Sequence, residues 1–261
     1  MKTKKPPIVA KLNPYHPLAK GLLGAWLFNE RAGNYLHDYS PYKRRGTFYN
    51  SPVWGVGKMG SKIAFNNAGD TYIDCGSNPV TGGTPFTLAA LIRVGASITT
   101  YGGAISIGNS AVYQSAYIGY AGSVQAGTSN SIGGGLYAYN LGSGLNTVGQ
   151  WYFVSLTYAN GVLRLYVDGK LMVTATQTAS LGSTYLRIGR ICSDTDLDFT
   201  GDIANCFLFN RALPGAEIMA LYQDPYQMFM PEMPIYLMQH YAAGGGLSIP
   251  VAMYHYKQMR L

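Results

Sequence analysis

Apolar and polar positions alternate most clearly over residues 150–174. Residues 151–158, WYFVSLTY, are rich in aromatic and β-branched side chains. Ala159-Asn160-Gly161 interrupts them, and Asn-Gly is a strong hairpin signal. Leu163, Leu165 and Val167 then fall on every second position, which gives residues 162–167 one apolar face. Asp168-Gly169 supplies the next tight turn, since glycine reaches positive φ without a steric cost, and residues 171–174 return. The pattern predicts a three-stranded antiparallel meander with one buried face. Such a sheet needs a second layer to cover it.

The rest of the chain reads in the same terms. Residues 22–28 form a strand with Trp26 and Phe28 on one face, 31–42 a loop and 46–49 a short strand. Residues 63–65 and 71–75 pair as a hairpin across 66–70. Residues 86–94 are almost continuously apolar, which places that strand in the middle of its sheet. Alternation at 104–107, 116–120 and 135–139 predicts three strands joined by glycine-rich turns. Late strands follow at 186–191 and 203–209. Pro214 opens a short helix to residue 222, with Ile218, Leu221 and Tyr222 on one face. Pro6, Pro7, Pro14 and Pro17 make residues 1–20 an extended arm. Residues 223–261 form an extended tail, rich in Pro and Met at first, then hinged at Gly244-Gly245-Gly246 before a strand-like end.

The meander and its flanks carry a family pattern. The run W-Y-F-V-S-L-T-Y-x-N-G-x-L-R-L-Y-V-D-G-K is the centre of a series that begins with Gly24-Ala25-Trp26-Leu27-Phe28-Asn29-Glu30. Between them stand Ile63-Ala64-Phe65 with Thr71-Tyr72-Ile73, and Phe86 to Ile92. After them come Leu186-Arg187-Ile188-Gly189-Arg190, Gly201-Asp202-Ile203, and Phe209-Asn210-Arg211-Ala212-Leu213 with Glu217 and Leu221-Tyr222. In this order the motifs resemble the laminin-G-like, concanavalin A-like jelly-roll family over about residues 21–222. The resemblance implies an all-β, two-sheet antiparallel jelly-roll sandwich with one short C-terminal helix. Many relatives carry a structural calcium held by acidic residues just after the Gly-x-Ile of the last strand; here those positions are Ala204 and Asn205. Asp224-Pro225-Tyr226, directly after the helix, is similar to members of the family found among phage structural proteins.

Composition fits this picture. The 261 residues suit one large sandwich or two small domains, and 33 Gly, 22 Tyr and only 12% charged residues suit many short strands. No apolar run approaches the roughly 18 residues of a membrane helix, and the basic N-terminus lacks the apolar stretch of a signal peptide. Three cysteines, Cys75, Cys192 and Cys206, do not make a disulfide framework, and Cys206 is expected to be a core thiol. The net charge of +7 is scattered, which points away from specific nucleic-acid recognition.

Three chemistries remain. Glycosidases of this fold need two carboxylates across a sugar. The only acidic alternation is Asp194-Thr195-Asp196-Leu197-Asp198, expected in a loop, and His16, His37, His240 and His255 stand beside no nucleophile signature. The chain is therefore expected not to be an enzyme. Asp194, Asp196 and Asp198 have the opening rhythm of a calcium loop, but Phe199 replaces the glycine at the sixth position. They could hold calcium, or an arginine such as Arg187 or Arg190 could neutralise them. Tyr113, Tyr117, Tyr120, Tyr137 and Tyr139, with Tyr101, could stack on sugar rings; the plainer reading is that they cover a sheet.

The tail residues Ile249, Val251, Met253, Tyr254 and Tyr256 could add a strand to a partner's sheet edge. Together these readings predict a non-enzymatic virion structural protein, a capsid decoration or head-fibre subunit. Its arms would dock on other virion proteins or on further copies of itself, leaving a lectin-like sandwich open to cell-surface glycans. Its place would be the virion surface, after synthesis in the host cytoplasm. The alternatives are a carbohydrate-binding module and a glycoside hydrolase.

Overall fold

The computed structural model describes residues 4–57, 60–66, 70–95, 101–111, 114–121, 131–192 and 197–230. Its strands, in chain order, are β1 (Lys11–Leu12), β2 (Leu22–Trp26), β3 (Tyr35–Leu36), β4 (Gly46–Tyr49), β5 (Val53–Gly57), β6 (Gly60–Asn66), β7 (Tyr72–Asp74), β8 (Phe86–Val94) and β9 (Gly102–Gly108). They continue with β10 (Ser115–Ala121), β11 (Ser131–Leu136), β12 (Tyr139–Gly142), β13 (Trp151–Ala159), β14 (Val162–Val167), β15 (Lys170–Thr176), β16 (Tyr185–Ile188), β17 (Thr200–Phe209) and β18 (Phe229–Met230). One helix, α1, spans Gly215–Gln223.

Two large antiparallel sheets result, as the jelly-roll reading requires. The first runs β12-β11-β10-β9-β16-β7-β4-β3. The second runs β15-β14-β13-β8-β17-β6-β5, with β2 added beside β17. The meander forms as its turns demand: Asn160 (φ 50°) and Gly161 (φ 76°) close one hairpin, Asp168 (φ 51°) and Gly169 (φ 79°) the next. Both central residues take the positive φ of a type I′ turn, whose twist matches that of the strands it joins. The nine residues of β8 pair with β13 on one side and β17 on the other, the central place their apolar run implied.

The main core lies between the sheets. Ile63, Leu88, Ala90, Ile92, Val154 and Leu156 meet Ile73, Ile105, Ile107, Ile118, Leu186 and Ile188 there, all essentially without solvent exposure. Cys206 joins them as a buried free thiol, raised well above its ordinary value by burial. A second core lies on the other face of the second sheet. Ala89, Leu91, Phe153, Phe207 and Phe209 are covered by Ile218 and Leu221 of the helix, by Leu18 of the arm, and by Tyr226, Met228 and Phe229.

The arm and the start of the tail thus meet their own domain. Leu12 pairs with Phe229 and Lys11 with Met230, so β1 and β18 form a small two-stranded strap over the second sheet. Within the arm Pro17–Ala19 makes a 3-10 turn, with His16 accepting from Leu18 N, where an extended chain was expected. The tail residues Ile249, Val251, Met253, Tyr254 and Tyr256 lie outside the described residues.

Residues 101–142 depart from the expected three strands. Four form, and residues 135–139 do not make one of them: Leu136 ends β11, and Tyr137-Ala138 turn into β12. Ala138 has φ 71°. An alanine there carries no turn signal, so the alternation of Leu136, Tyr137, Ala138 and Tyr139 misleads.

Candidate functional site

Strand register builds one continuous row across the outer face of the first sheet. From β3 to β12 it reads Tyr35, Thr47, Asp74, Arg187, Ser106, Tyr117, Gly135 and Asn140. Side chains at alternate positions share a face, so the row sits opposite the inter-sheet core. Its two halves differ.

The half on β9 to β12 is closed. Tyr117 is wholly buried and donates its hydroxyl to Asn140 Oδ1. Ser106 Oγ lies 2.6 Å from the Arg190 carbonyl and 3.1 Å from Cys192 Sγ. Burial raises the Tyr117 phenol well above its ordinary value.

The half on β3, β4, β7 and β16 is open. Tyr35 is 43% and Tyr49 45% exposed, and Thr47 is exposed as well. Tyr72, Asp74, Tyr185 and Arg187 are half-buried. Tyr49 stacks on Tyr72, directly opposite it in register, with centroids 4.8 Å apart and planes 4° apart. Arg187 lays its guanidinium 3.8 Å from the Tyr185 centroid and 5.0 Å from that of Tyr72. Two rings holding one cation is a cation–π clamp.

Arg187 pairs with no carboxylate among the described residues, and its Nε is buried without a hydrogen-bond partner. Asp74, its cross-strand neighbour, accepts from Gly76 N at 2.7 Å. Burial raises the Tyr72 phenol, with Arg187 opposing.

Arg45 stands over Tyr35, 5.0 Å from its centroid, and another cation beside this face, Arg190, is already compensated. Arg190 binds Asp198 at 2.5 Å through Nε and Asp70 through a terminal nitrogen, and it lies 5.1 Å from the Tyr72 centroid. Burial works against its charge, but the bonds to Asp198 and Asp70 outweigh that and raise its pKa above the ordinary value. A second concentration of charge lies on the other sheet, where Lys62 (2.5 Å) and Arg93 (2.8 Å) share Asp202. Beside it a shallow cavity of about 310 Å³ is lined by Lys62, Arg93, Trp151, Gly57 and Gly149.

The structure redistributes the residues expected to bind sugar. Tyr117 is sealed in the closed half-row. Tyr120 points into the inter-sheet core, stacks on Phe199 at 4.8 Å, and donates to the Thr200 carbonyl. Neither can meet a ligand, because full burial leaves no ring face for a sugar. Tyr137 and Tyr139 are half-buried at the β11–β12 turn, and Tyr113 lies outside the described residues. The open cluster of Tyr49, Tyr72, Tyr185 and Arg187 was not singled out from the sequence. Its members come from three strands brought together by the placement of β16 between β9 and β7.

The calcium reading fares differently at its two places. Asp198 is 2% exposed and bound through Oδ1 to Arg190, the neutralising partner named as the alternative; Asp194 and Asp196 lie outside the described residues. At the family's position, Ala204 offers only its carbonyl, and Lys5 Nζ donates to it at 2.6 Å. Asn205 is wholly buried, accepting from Leu91 N (3.1 Å) and donating to Tyr226 Oη (3.0 Å). These residues do not fit a calcium ion, whose oxygen shell normally includes carboxylates.

Solved structures of the same shape are numerous. Domain 4 of AbnA, a GH43 extracellular arabinanase from Geobacillus stearothermophilus solved with arabinotriose, is 16% identical, with a TM-score of 0.58 over 82% of this chain and 99% of its own. The Trypanosoma rangeli sialidase in complex with sialic acid is 18% identical, with a TM-score of 0.56 over 80% of this chain. This chain spans 33% of that sialidase. The binding domain of Paraclostridial Mosquitocidal Protein 1 is 12% identical, with a TM-score of 0.56 over 80% of this chain and 53% of its own. At these identities the likeness is one of fold. No curated protein sequence matches the chain. A family model described as the concanavalin A-like lectin/glucanases superfamily matches residues 67–219, more than half of the chain. The chain belongs to that superfamily.

Proposed function

We propose that this chain is a non-catalytic glycan-binding sandwich, and that its ligand is an acidic sugar held on the open half of the first sheet's outer face. The observation that carries the reading is Arg187, clamped between Tyr72 and Tyr185 with no carboxylate partner among the described residues. A guanidinium fixed in this way matches a carboxylate through two parallel N–H donors. Tyr49, stacked on Tyr72 and nearly half exposed, extends the platform on which a neighbouring sugar ring lies.

The hydrolytic reading needed the acidic run, and Asp198 within it is buried against Arg190, out of a substrate's reach. A virion role drew on both arms docking on neighbours. Ala10, Leu18, Tyr226, Met228 and Phe229 instead pack on their own sheet, while Ile8, Val9 and Tyr15 stay exposed and residues 231–261 lie outside the described residues.

The test is a titration of uronate-containing and matched neutral oligosaccharides against the native chain, followed by Arg187→Met and Tyr49→Ala. The expected result is saturable binding of the acidic sugars, weakened by added salt. Arg187→Met removes the acidic preference by about tenfold or more, the scale of a charge-assisted bond. Tyr49→Ala weakens all ligands by up to about tenfold, the scale of one aromatic stack. Binding that both variants retain at full strength would place the ligand elsewhere.

A further inference from the structure

Lys5 lies on the arm, yet its amine is surrounded by the sandwich. Nζ donates toward four main-chain carbonyls: Leu27 at 2.7 Å, Ser61 at 2.5 Å, Ala204 at 2.6 Å and Phe28 at 3.3 Å. Sheet topology explains why these oxygens converge. Strand β17 pairs with β6 through Ile203 and with β2 only from Cys206 onward. At the seam between the two ladders the register of β17 also shifts, between Ile203 and Asn205. The Ala204 carbonyl therefore falls in the gap.

Phe28 contributes to the same seam. It has φ 54°, a costly conformation for a bulky residue, which turns the chain just past β2. Ser61 Oγ donates to the Phe28 carbonyl at 2.6 Å and braces it. Four carbonyl oxygens facing one point repel one another unless a cation sits among them.

We propose that the Lys5 ammonium is the resident cation of a main-chain carbonyl cage built at this seam of the second sheet. The arm is then a structural part of the sandwich, pinned by an internal counterpart of an ion. An ammonium has three donors and no acceptor, so it is the protonated form that this cage fits. Burial pulls the amine down to about 7, while Glu30 favours the charged form. Glu30 and the buried thiol Cys206 are the titratable groups that bear on it. Asn29 ties down the neighbouring residue, donating to the Pro6 carbonyl at 2.8 Å. A cage of neutral carbonyls suits a single positive charge, and Lys5 provides one without a metal.

The test is chemical rescue in the full chain. Lys5→Ala is expected to lower the Tm by about 5–10 °C, since it leaves several buried acceptors unpaired. Propylammonium chloride, an amine matching the deleted Cγ to Nζ, is expected to restore at least half of that loss relative to sodium chloride at equal ionic strength, while leaving the native chain unchanged. A variant within about 1 °C of the native Tm overturns the proposal, as does one that propylammonium restores no better than sodium. Should Lys5→Ala fail to fold, the native chain decides by nitrogen-15 NMR of its lysine side chains. One slowly exchanging ammonium resonance at about pH 5, well below the amine's value of about 7, is expected, and finding none overturns the cage.

Discussion

Tyrosines crowd residues 101–139, and burial separates their roles. Tyr117 and Tyr120 stand three positions apart on β10 and face opposite sides of the sheet, Tyr117 outward and Tyr120 into the core. What decides is how each hydroxyl is satisfied: Asn140 takes that of Tyr117, and the Thr200 carbonyl that of Tyr120. Those partners lie 23 and 80 residues away, so no local pattern could announce them. Burial pushes the Tyr120 phenol up to about 12 and raises Tyr117 too.

The sign of the consequence is fixed. Between pH 10 and 12 the unfolded chain has lost these protons and the folded chain keeps them, so stability falls as pH rises through that window. For Tyr120 alone the loss approaches about 2–3 kcal/mol at the upper end. Urea unfolding at pH 8 and pH 11.5 checks this, and Tyr120→Phe should flatten the dependence.

Elements were most legible where local signals agree. The helix was readable because Pro214 opens it and Ile218 and Leu221 mark its buried face. The meander was readable because two positive-φ turns carry Asn-Gly and Asp-Gly. β11 was not, because Gly133-Gly134-Gly135 shows no face, and each glycine lies so close to neighbouring backbone that a Cβ would collide.

The strap of β1 and β18 was also hidden, since two-residue strands have no period. Its anchor is Tyr226, whose hydroxyl accepts from the buried Asn205 amide. Tyr226→Phe leaves that donor unpaired and should cost about 1–3 kcal/mol. Tyr226→Ala also opens a cavity and should cost about 3–5 kcal/mol. Thermal unfolding of the two variants separates the hydrogen bond from the packing. If the two variants lose equal stability, the ring does not pack as the second core requires.

At the scale of the whole molecule the two sheets have opposite fates. Much of the second sheet's outer face is covered by the arm, the helix and the strap, leaving the corner of Lys62, Arg93 and Trp151, whereas the first sheet keeps an open aromatic and charged surface on β3, β4, β7 and β16. That surface joins the pair Tyr49 and Tyr72 to the pair Tyr185 and Arg187, more than a hundred positions further along, and the pairs become neighbours only when β16 inserts beside β7. The family pattern gave the sandwich, but no spacing along the chain could give this site.

The cover over the second sheet is complete by Met230 among the described residues. A chain ending there should therefore keep its sandwich, with a Tm within about 2–4 °C of the full length, the shift expected from about 1 kcal/mol. It should also bind acidic sugars with the same affinity, since every residue of the clamp lies before the cut. Light scattering on both chains then isolates residues 231–261. If the shorter chain alone is monomeric and binding is unchanged, assembly belongs to the tail and recognition to the sandwich. If binding is lost with the tail while the fold survives, the clamp on the first sheet is not the site.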